Sequence, residues 1–274
     1  MKAGSREFIK NIEFPFCYHA YLIDKEGSID YFHYGLWTAE TKNIKEAQEN
    51  LARIMKSLIP KGVKRILDVG CGLGKTTVDL TMAGYETIGI SPDTKLMEMA
   101  KTKYKDYTSH LIETSFEEYK TDKKFDLILF QESSQYIFDL DFLFAHSHKL
   151  LNKVGYILTC DEIRYIPEGP LHEKKNILSM AYKHNFKVVH NEDITEKIIN
   201  TSIQASNFII KNKDLIIKDF APIRENVKEE IELLLQGWNM RTEMFEKKAF
   251  GYEIFLFSKN HHVLDKLITK LRLK

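Results

Sequence analysis

The segment ILDVGCGLG, at residues 66–74, decides the fold of this chain. A run of branched apolar residues passes directly into three glycines, and a helical pattern begins immediately afterwards at Lys75. Glycine allows the backbone to turn sharply and to approach a ligand closely. The free N–H groups at the start of a helix favour anionic ligand groups. The segment therefore predicts a strand, a nucleotide-type cofactor loop and a helix, in that order.

The spacing of the glycines excludes two other phosphate-binding loops. A P-loop, G-x-x-x-x-G-K-[ST], ending at Gly74-Lys75-Thr76 would require glycine at position 69, where the chain has Val69. A dinucleotide fingerprint requires G-x-G-x-x-G, and the third glycine here comes one residue too early. The spacing that remains is D-x-G-x-G-x-G, starting at Asp68.

On both sides of this loop, short branched apolar runs alternate with helical patterns, which is typical of a parallel α/β sheet. The predicted fold is a doubly wound, Rossmann-like α/β fold with a mainly parallel seven-stranded sheet and helices on both faces. The predicted strands cover 65–69, 86–90, 110–112, 125–130, 156–160, 186–190 and 252–258, and the helices 43–58, 75–83, 94–103, 140–151 and 171–184.

The stretch between the last two strands, residues 195–250, is too long for an ordinary connection. Apolar residues recur through it at helical spacing, as in Ile231, Leu234, Leu235 and Trp238. We therefore expect a helical cap inserted before the last strand. The predicted regions are an aromatic N-terminal lid segment (1–42), the Rossmann-like cofactor-binding core (43–194), the cap (195–250), and the last strand with a C-terminal helix (251–274).

Composition limits the partners. The chain has 274 residues, of which 43% are hydrophobic, and 40 basic against 39 acidic side chains give a formal net charge of +1. This size is sufficient for a large core. A dedicated nucleic-acid binder usually has a large excess of basic residues, which this chain does not have. We therefore expect no nucleic-acid partner. Monomer and homodimer both stay open.

The cysteines and histidines do not indicate a metal site or a disulfide framework. Cys17, Cys71 and Cys160 are widely spaced, without a C-x-x-C pair. His146 and His148 lie two apart on a predicted helix and so point to different sides. Charges interrupt the first 16 residues, and no later run approaches a membrane-spanning length. We expect a cytoplasmic protein without a membrane span.

The glycine motif resembles the first motif of the class I S-adenosylmethionine (SAM)-dependent methyltransferases, a strand ending in (D/E)-x-G-x-G-x-G. The resemblance covers roughly residues 31–158. YFHYGLW at 31–37, followed by EAQENL, is similar to the N-terminal segment of small-molecule members related to cyclopropane-fatty-acid synthases. GISPD at 89–93 resembles the second motif, and QESSQYI at 131–137 resembles the E-S-x-x-H-I segment after strand four.

The resemblance implies a SAM-binding enzyme whose product is S-adenosyl-L-homocysteine. Where relatives have an acid for the ribose hydroxyls, this chain has Ser91, with Asp93 two residues later, and either could serve. Ser115 stands where many relatives have an acid for the adenine amino group. The cofactor-binding residues implied are Tyr34, Asp68, Gly70, Gly72, Gly74, Ser91, Asp93, Ser115, Phe116 and Gln131.

Methyl transfer requires an aligned acceptor and, if the acceptor carries a proton, a base. Glu132, just past the fourth strand, and His33, in the N-terminal motif, are the candidate catalytic residues. Asp161 and Glu162 follow the fifth predicted strand, where such a pair usually belongs to a solvated loop. His261-His262 are expected in a solvated turn.

Residues after the fourth strand also limit the acceptor. QESS replaces the (N/D)-P-P-(Y/F) of amino-methylating enzymes, and none of the cysteines follows proline, as a cytosine C5 enzyme would require. Aromatic residues and a cap suggest an enclosed apolar pocket. We expect C- or O-methylation of a small hydrophobic metabolite. A SAM-bound enzyme of another reaction, such as cyclisation, and a non-catalytic binding subunit are the alternatives.

Overall fold

The structure is a computed structural model that describes residues 12–25 and 30–259. Its strands are β1 (Arg65–Val69), β2 (Glu86–Ser91), β3 (Leu111–Glu113), β4 (Phe125–Gln131), β5 (Leu151–Arg164), β6 (Phe186–Asp193) and β7 (Phe250–Lys259). Its α-helices are α1 (Phe16–Lys25), α2 (Ile44–Ser57), α3 (Lys75–Met82), α4 (Thr94–Lys103), α5 (Leu140–Leu150), α6 (Lys174–Lys183), α7 (Thr195–Phe220) and α8 (Val227–Glu246).

The seven strands form one sheet in the order β3-β2-β1-β4-β5-β7-β6. Strands β1 to β5 pair in parallel, and β7 is antiparallel to both of its neighbours. The doubly wound, mainly parallel fold predicted from the sequence is confirmed. Because the chain order reverses between β1 and β4, ligands are expected beyond the carboxyl ends of these two strands.

Local sequence explains why the helices start where they do. The side chain of Asn43 accepts a hydrogen bond from the backbone N–H of Glu46 at 2.9 Å, which caps α2. Leu51 and Met55 lie one turn apart on the buried face of α2. The helix predicted over 43–58 therefore forms with nearly the expected bounds.

Strand β5 is longer than predicted. It continues to Arg164 because β7 pairs with it antiparallel through the register Asp161↔Glu253 and Glu162↔Tyr252. The interpretation of Asp161 and Glu162 as a solvated loop is wrong, since both side chains are buried inside the sheet. Pairing with β7 places these two residues in the sheet, and the sequence of residues 151–164 alone does not indicate that pairing.

The long insertion forms the two helices α7 and α8, which pack against each other. The N-terminal aromatic segment contributes α1, which the sequence did not predict, and this helix packs on the same pair. The ring of Tyr18 lies 4.8 Å from that of Phe220, and its hydroxyl donates to Glu230 at 2.7 Å. Part of the aromatic segment is thus attached to the insertion.

The predicted C-terminal helix and His261-His262 fall in residues 260–274, outside the described part of the chain. In the two described ranges, no helix combines the length and the apolar character needed to cross a membrane.

Candidate active site

A cavity of about 360 Å³ opens at the carboxyl ends of β1, β2 and β4. We call it the first cavity. Ten of the residues proposed from the sequence line it together, although they come from separate parts of the chain. They are His33, Asp68, Gly70, Gly72, Ser91, Asp93, Ser115, Phe116, Gln131 and Glu132. A volume of this size is within the range of small-molecule sites, roughly 300–1,000 Å³.

The glycines of the loop have different roles. Gly70 and Gly72 both have a positive φ, of 71° and 50°. A Cβ at Gly70 would collide with the side chain of Ser133, so packing requires glycine there. A Cβ at Gly72 would meet nothing nearer than Phe32 Cδ2 at 3.9 Å. The absent side chain at Gly72 therefore leaves room for a ligand in the first cavity.

Gly74 does not line the first cavity. It precedes α3 with a φ of 74°, and a Cβ there would press on Leu111 Cδ2 at 3.0 Å. Its position favours a packing role at the start of the helix.

Asp68 lies at the bottom of the first cavity and is almost fully buried. Its Oδ2 accepts a hydrogen bond from the Thr77 hydroxyl at 2.6 Å. Burial raises the pKa of Asp68 to about 6, and the bond from Thr77 opposes part of that rise. The carboxylate is therefore still mainly ionised at neutral pH and suits a cationic ligand group.

Ser91 and Asp93 lie side by side at the end of β2. Oδ1 of Asp93 accepts from the backbone N–H of Leu96 at 2.9 Å and so caps α4. The Ser91 hydroxyl accepts from the backbone N–H of Asp93 at 3.4 Å. Both residues line the first cavity, and the capping bond occupies only one carboxylate oxygen of Asp93.

Ser115 and Phe116 come shortly after β3 and also line the first cavity. The Ser115 hydroxyl accepts from the backbone N–H of Glu118 at 3.1 Å. The Phe116 ring is buried edge-on against Phe130, with centroids 5.3 Å apart. Phe116 therefore gives this part of the first cavity an apolar side chain beside the Ser115 hydroxyl.

Gln131 ends β4 and has an unpaired donor. Its Oε1 accepts from the Thr76 hydroxyl at 3.4 Å, whereas its Nε2 is buried without a hydrogen-bond partner in the described part of the chain. Buried polar groups are almost always paired, so the amide of Gln131 is suited to a ligand that supplies an acceptor.

A second cavity, of about 260 Å³, adjoins the first. We call it the chamber. The two cavities share the residues Phe16, Phe32, His33, Glu132 and Tyr136. Tyr34 lines the chamber and not the first cavity, and the remaining wall includes Leu233, Leu234, Gly237, Trp238 and Arg241 of α8. A ligand in the chamber would therefore lie beside the first cavity, with the shared residues at the boundary.

His33 belongs to this shared wall. Its Nδ1 lies 2.6 Å from the backbone carbonyl oxygen of Tyr34, and since a carbonyl only accepts, Nδ1 carries the proton. Its Nε2 is buried and has no hydrogen-bond partner among the residues that the structure describes. Burial lowers the pKa of His33 to about 4, so the ring is neutral at pH 7 with a free lone pair on Nε2.

Glu132, the other shared candidate, has a positive φ of 55°. Its Oε1 accepts from the backbone N–H of Tyr34 and from the hydroxyl of Tyr252. Burial raises the pKa of Glu132 well above its ordinary value. Glu132 thus attaches the Tyr34 segment to β7 at the boundary of both cavities.

Comparison with known proteins agrees with this geometry. A family model described as a methyltransferase domain matches residues 67–159, which hold the glycine loop and strands β1 to β4. The glycine loop and the strands around it therefore form a methyltransferase domain of the class I SAM-dependent type. SAM is therefore its cofactor.

Two curated relatives and one solved structure are similar to this methyltransferase. A ubiquinone biosynthesis O-methyltransferase of Pelagibacter ubique is 36% identical over 33% of the chain, and the chain spans only 39% of that relative. A malonyl-[acyl-carrier protein] O-methyltransferase of Ilyobacter polytropus is 28% identical over 85% of both chains. A cyclopropane synthase from Mycobacterium tuberculosis shares the fold, with a TM-score of 0.74 at 14% identity over 93% of this chain and 98% of that one.

Residues of the methyltransferase that the sequence missed lie around the chamber. The Tyr34 hydroxyl donates to Oε1 of Glu162 at 2.8 Å, and Nε of Arg241 lies 3.2 Å from the same oxygen. Arg241 comes from α8, far away in the chain. The only local signal is the recurrence of Leu233, Gly237 and Arg241 at four-residue steps, which places them on one helical face.

Proposed function

We propose that this methyltransferase methylates a hydroxyl oxygen of a small, largely apolar molecule held in the chamber. The observation that carries the proposal is the pair of adjoining cavities with the unpaired His33 Nε2 in their shared wall. The two curated relatives described above are both named O-methyltransferases. The net charge of +1 supports a small acceptor rather than a nucleic acid.

The chamber favours a hydrogen-bond donor on an apolar body. Phe16, Phe32 and Leu234 supply apolar wall. Unpaired buried atoms on other lining residues are His33 Nε2, His19 Nε2, Gln135 Oε1 and Trp238 Nε1. At least two of these four atoms accept hydrogen bonds at neutral pH. The neutral imidazole of His33 carries its proton on Nδ1, which leaves Nε2 as an acceptor, and Gln135 Oε1 is a carbonyl oxygen. A hydroxyl group would satisfy one of them.

The first cavity fits SAM. Gly72 leaves space beside the loop, Asp68 would face the ammonium group, and Ser91 with Asp93 would hold the ribose hydroxyls. Gln131 Nε2 would donate to the cofactor, and Phe116 would lie against the adenine ring. Gly70 and Gly74 would shape the loop, and Ser115 would lie near the adenine.

SAM, when bound, supplies an electrophilic methyl group on sulfur. Methylation of a hydroxyl oxygen releases the hydroxyl proton, and Nε2 of His33 would accept it. Glu132 would keep the Tyr34 segment in place through its two hydrogen bonds. His33 is therefore the proposed general base, and Glu132 a positioning residue.

The three cysteines are buried and form no disulfide, which is consistent with a reducing cytoplasm.

The test compares His33→Gln with a matched control, His110→Gln. Nδ1 of His110 also bonds a backbone carbonyl, that of Thr87 at 2.8 Å, but His110 lies outside both cavities. A panel of phenols and aliphatic alcohols is incubated with SAM, and release of S-adenosyl-L-homocysteine (SAH) is measured. We expect His33→Gln to reduce turnover about 100-fold or more, with SAH affinity retained and His110→Gln unchanged.

If His33→Gln kept full turnover, His33 would not be the general base. SAH binding without turnover on any hydroxyl compound would favour the non-methylating alternative, and absence of SAH binding would favour a non-catalytic subunit.

A further inference from the structure

A glycine stands in the middle of helix α8, where its presence is unfavourable. Gly237 lies well inside Val227–Glu246, and a helical glycine costs about 1 kcal/mol relative to alanine. Packing among the described residues does not require it, because a Cβ built there would meet only Arg241 Nη1 of these residues, at 3.8 Å. The missing side chain instead leaves open space in the wall of the chamber, which Gly237 lines.

Apolar side chains border this opening and reach solvent. Leu233, one turn earlier on α8, lines the chamber and is 58% exposed. Tyr136, on the loop after β4, lines both cavities and is 59% exposed. Large apolar side chains with this exposure at the mouth of a cavity indicate contact with an apolar ligand.

The chamber by itself, at about 260 Å³, is small for a metabolite with a long apolar body. We infer that Gly237 is a specificity-determining residue, which leaves an opening through which an apolar tail of the acceptor extends between α8 and the Tyr136 loop. The inference rests on the proposed function, because it requires that the acceptor's hydroxyl end occupies the chamber.

The test uses phenol, 4-butylphenol and 4-octylphenol as probes of increasing tail length. Each is titrated calorimetrically into the full chain saturated with SAH. We expect 4-butylphenol to bind the wild type at least tenfold more tightly than phenol, because its tail covers apolar surface at the opening. In Gly237→Leu the gain should fall below threefold, while phenol itself binds within threefold of the wild type.

Gln236→Leu is the matched control, because it adds the same side chain to the next position of α8, which is exposed and outside the chamber. It should keep the dependence on tail length. Gly237→Ala should be intermediate, and both Gly237 variants should unfold at a higher temperature than the wild type because helix propensity improves. A rise in melting temperature shows that lost affinity does not come from misfolding.

A tenfold gain that persists in Gly237→Leu would overturn the inference, as would an equal loss in Gln236→Leu. Phenol binding without any tail dependence in the wild type would overturn the inference alone. No binding by any probe would overturn both the inference and the proposed chamber.

Discussion

Replacing Gly72 with valine would test the cofactor loop, because this position separates ligand obstruction from packing damage. Gly72 has a φ of 50°, and among the described atoms a Cβ there would come no closer than 3.9 Å to Phe32 Cδ2 and 4.0 Å to the carbonyl oxygen of Gly70. The valine side chain would therefore enter the first cavity without colliding with the core. A β-branched residue at positive φ should cost about 1–3 kcal/mol of folding free energy.

That strain corresponds to a decrease of roughly 2–10 °C in melting temperature for a chain of this size. The effect on the ligand should be larger, because three added carbon atoms occupy space that the cofactor requires. We expect the affinity for SAH to fall more than 100-fold, which corresponds to about 2.7 kcal/mol. Isothermal titration calorimetry measures the binding, and thermal unfolding without ligand measures the strain.

Gly62→Val provides the matched control. Gly62 lies in the turn before β1 with a φ of 89°, and nothing lies within 4 Å of a Cβ built there. The variant should show a similar decrease in melting temperature and an unchanged affinity for SAH. Wild-type SAH affinity in Gly72→Val, or an equal loss of affinity in Gly62→Val, would refute the assignment of the loop.

Three further predictions test the buried groups in and around the chamber. Because the pKa of His33 is about 4 when folded and about 6.5 when unfolded, the unfolded chain binds this proton first as pH falls from 7 to 4. The wild type should therefore lose ~3 kcal/mol of stability relative to His33→Gln over that range in pH-dependent urea unfolding, and parallel curves would contradict this. Tyr252→Phe removes a buried donor to Glu132 and should cost about 1–3 kcal/mol in urea unfolding at pH 7, whereas an unchanged midpoint would show that the bond contributes nothing. Arg241→Met leaves Glu162 buried without its cation and should cost about 3 kcal/mol, and Glu162→Gln in the same chain should restore most of it unless the pair does not interact.

The sequence predicted the centre of the fold well because each signal there is local. Strands β1, β2 and β4 are buried and read as short apolar runs, and each is bounded by a loop or a helix start within a few residues. The extension of β5 was not predictable in this way. Residues 161–164 join the sheet because β7 pairs with them from the end of the chain, so polar side chains enter the sheet against their own propensity.

The parts of the site that could be predicted are likewise those whose signal lies in a short stretch of sequence. The cofactor loop could be predicted because its glycine spacing is contained in nine residues. An apolar pocket beside the aromatic segment and the cap was expected, but the residues that line the chamber could not be predicted, since α1, the Tyr34 segment and α8 meet only in the folded chain. Arg241 in particular has one local signal, its four-residue spacing from Leu233 and Gly237, and that spacing does not show that this face of α8 lines a cavity.

The electrostatics of the chamber favour a neutral acceptor. His33 is neutral at pH 7, burial favours the protonated form of Glu132, and the positive charge of Arg241 is opposed by Glu162 3.2 Å away. No cation of the described chamber wall is thus left to neutralise an acceptor's carboxylate, whose desolvation would be costly. Binding of 4-butylbenzoate to the SAH-loaded protein should therefore be at least tenfold weaker than that of 4-butylphenol. Equal affinities would mean that Arg241 exchanges Glu162 for the ligand, and the chamber would then be an anion site.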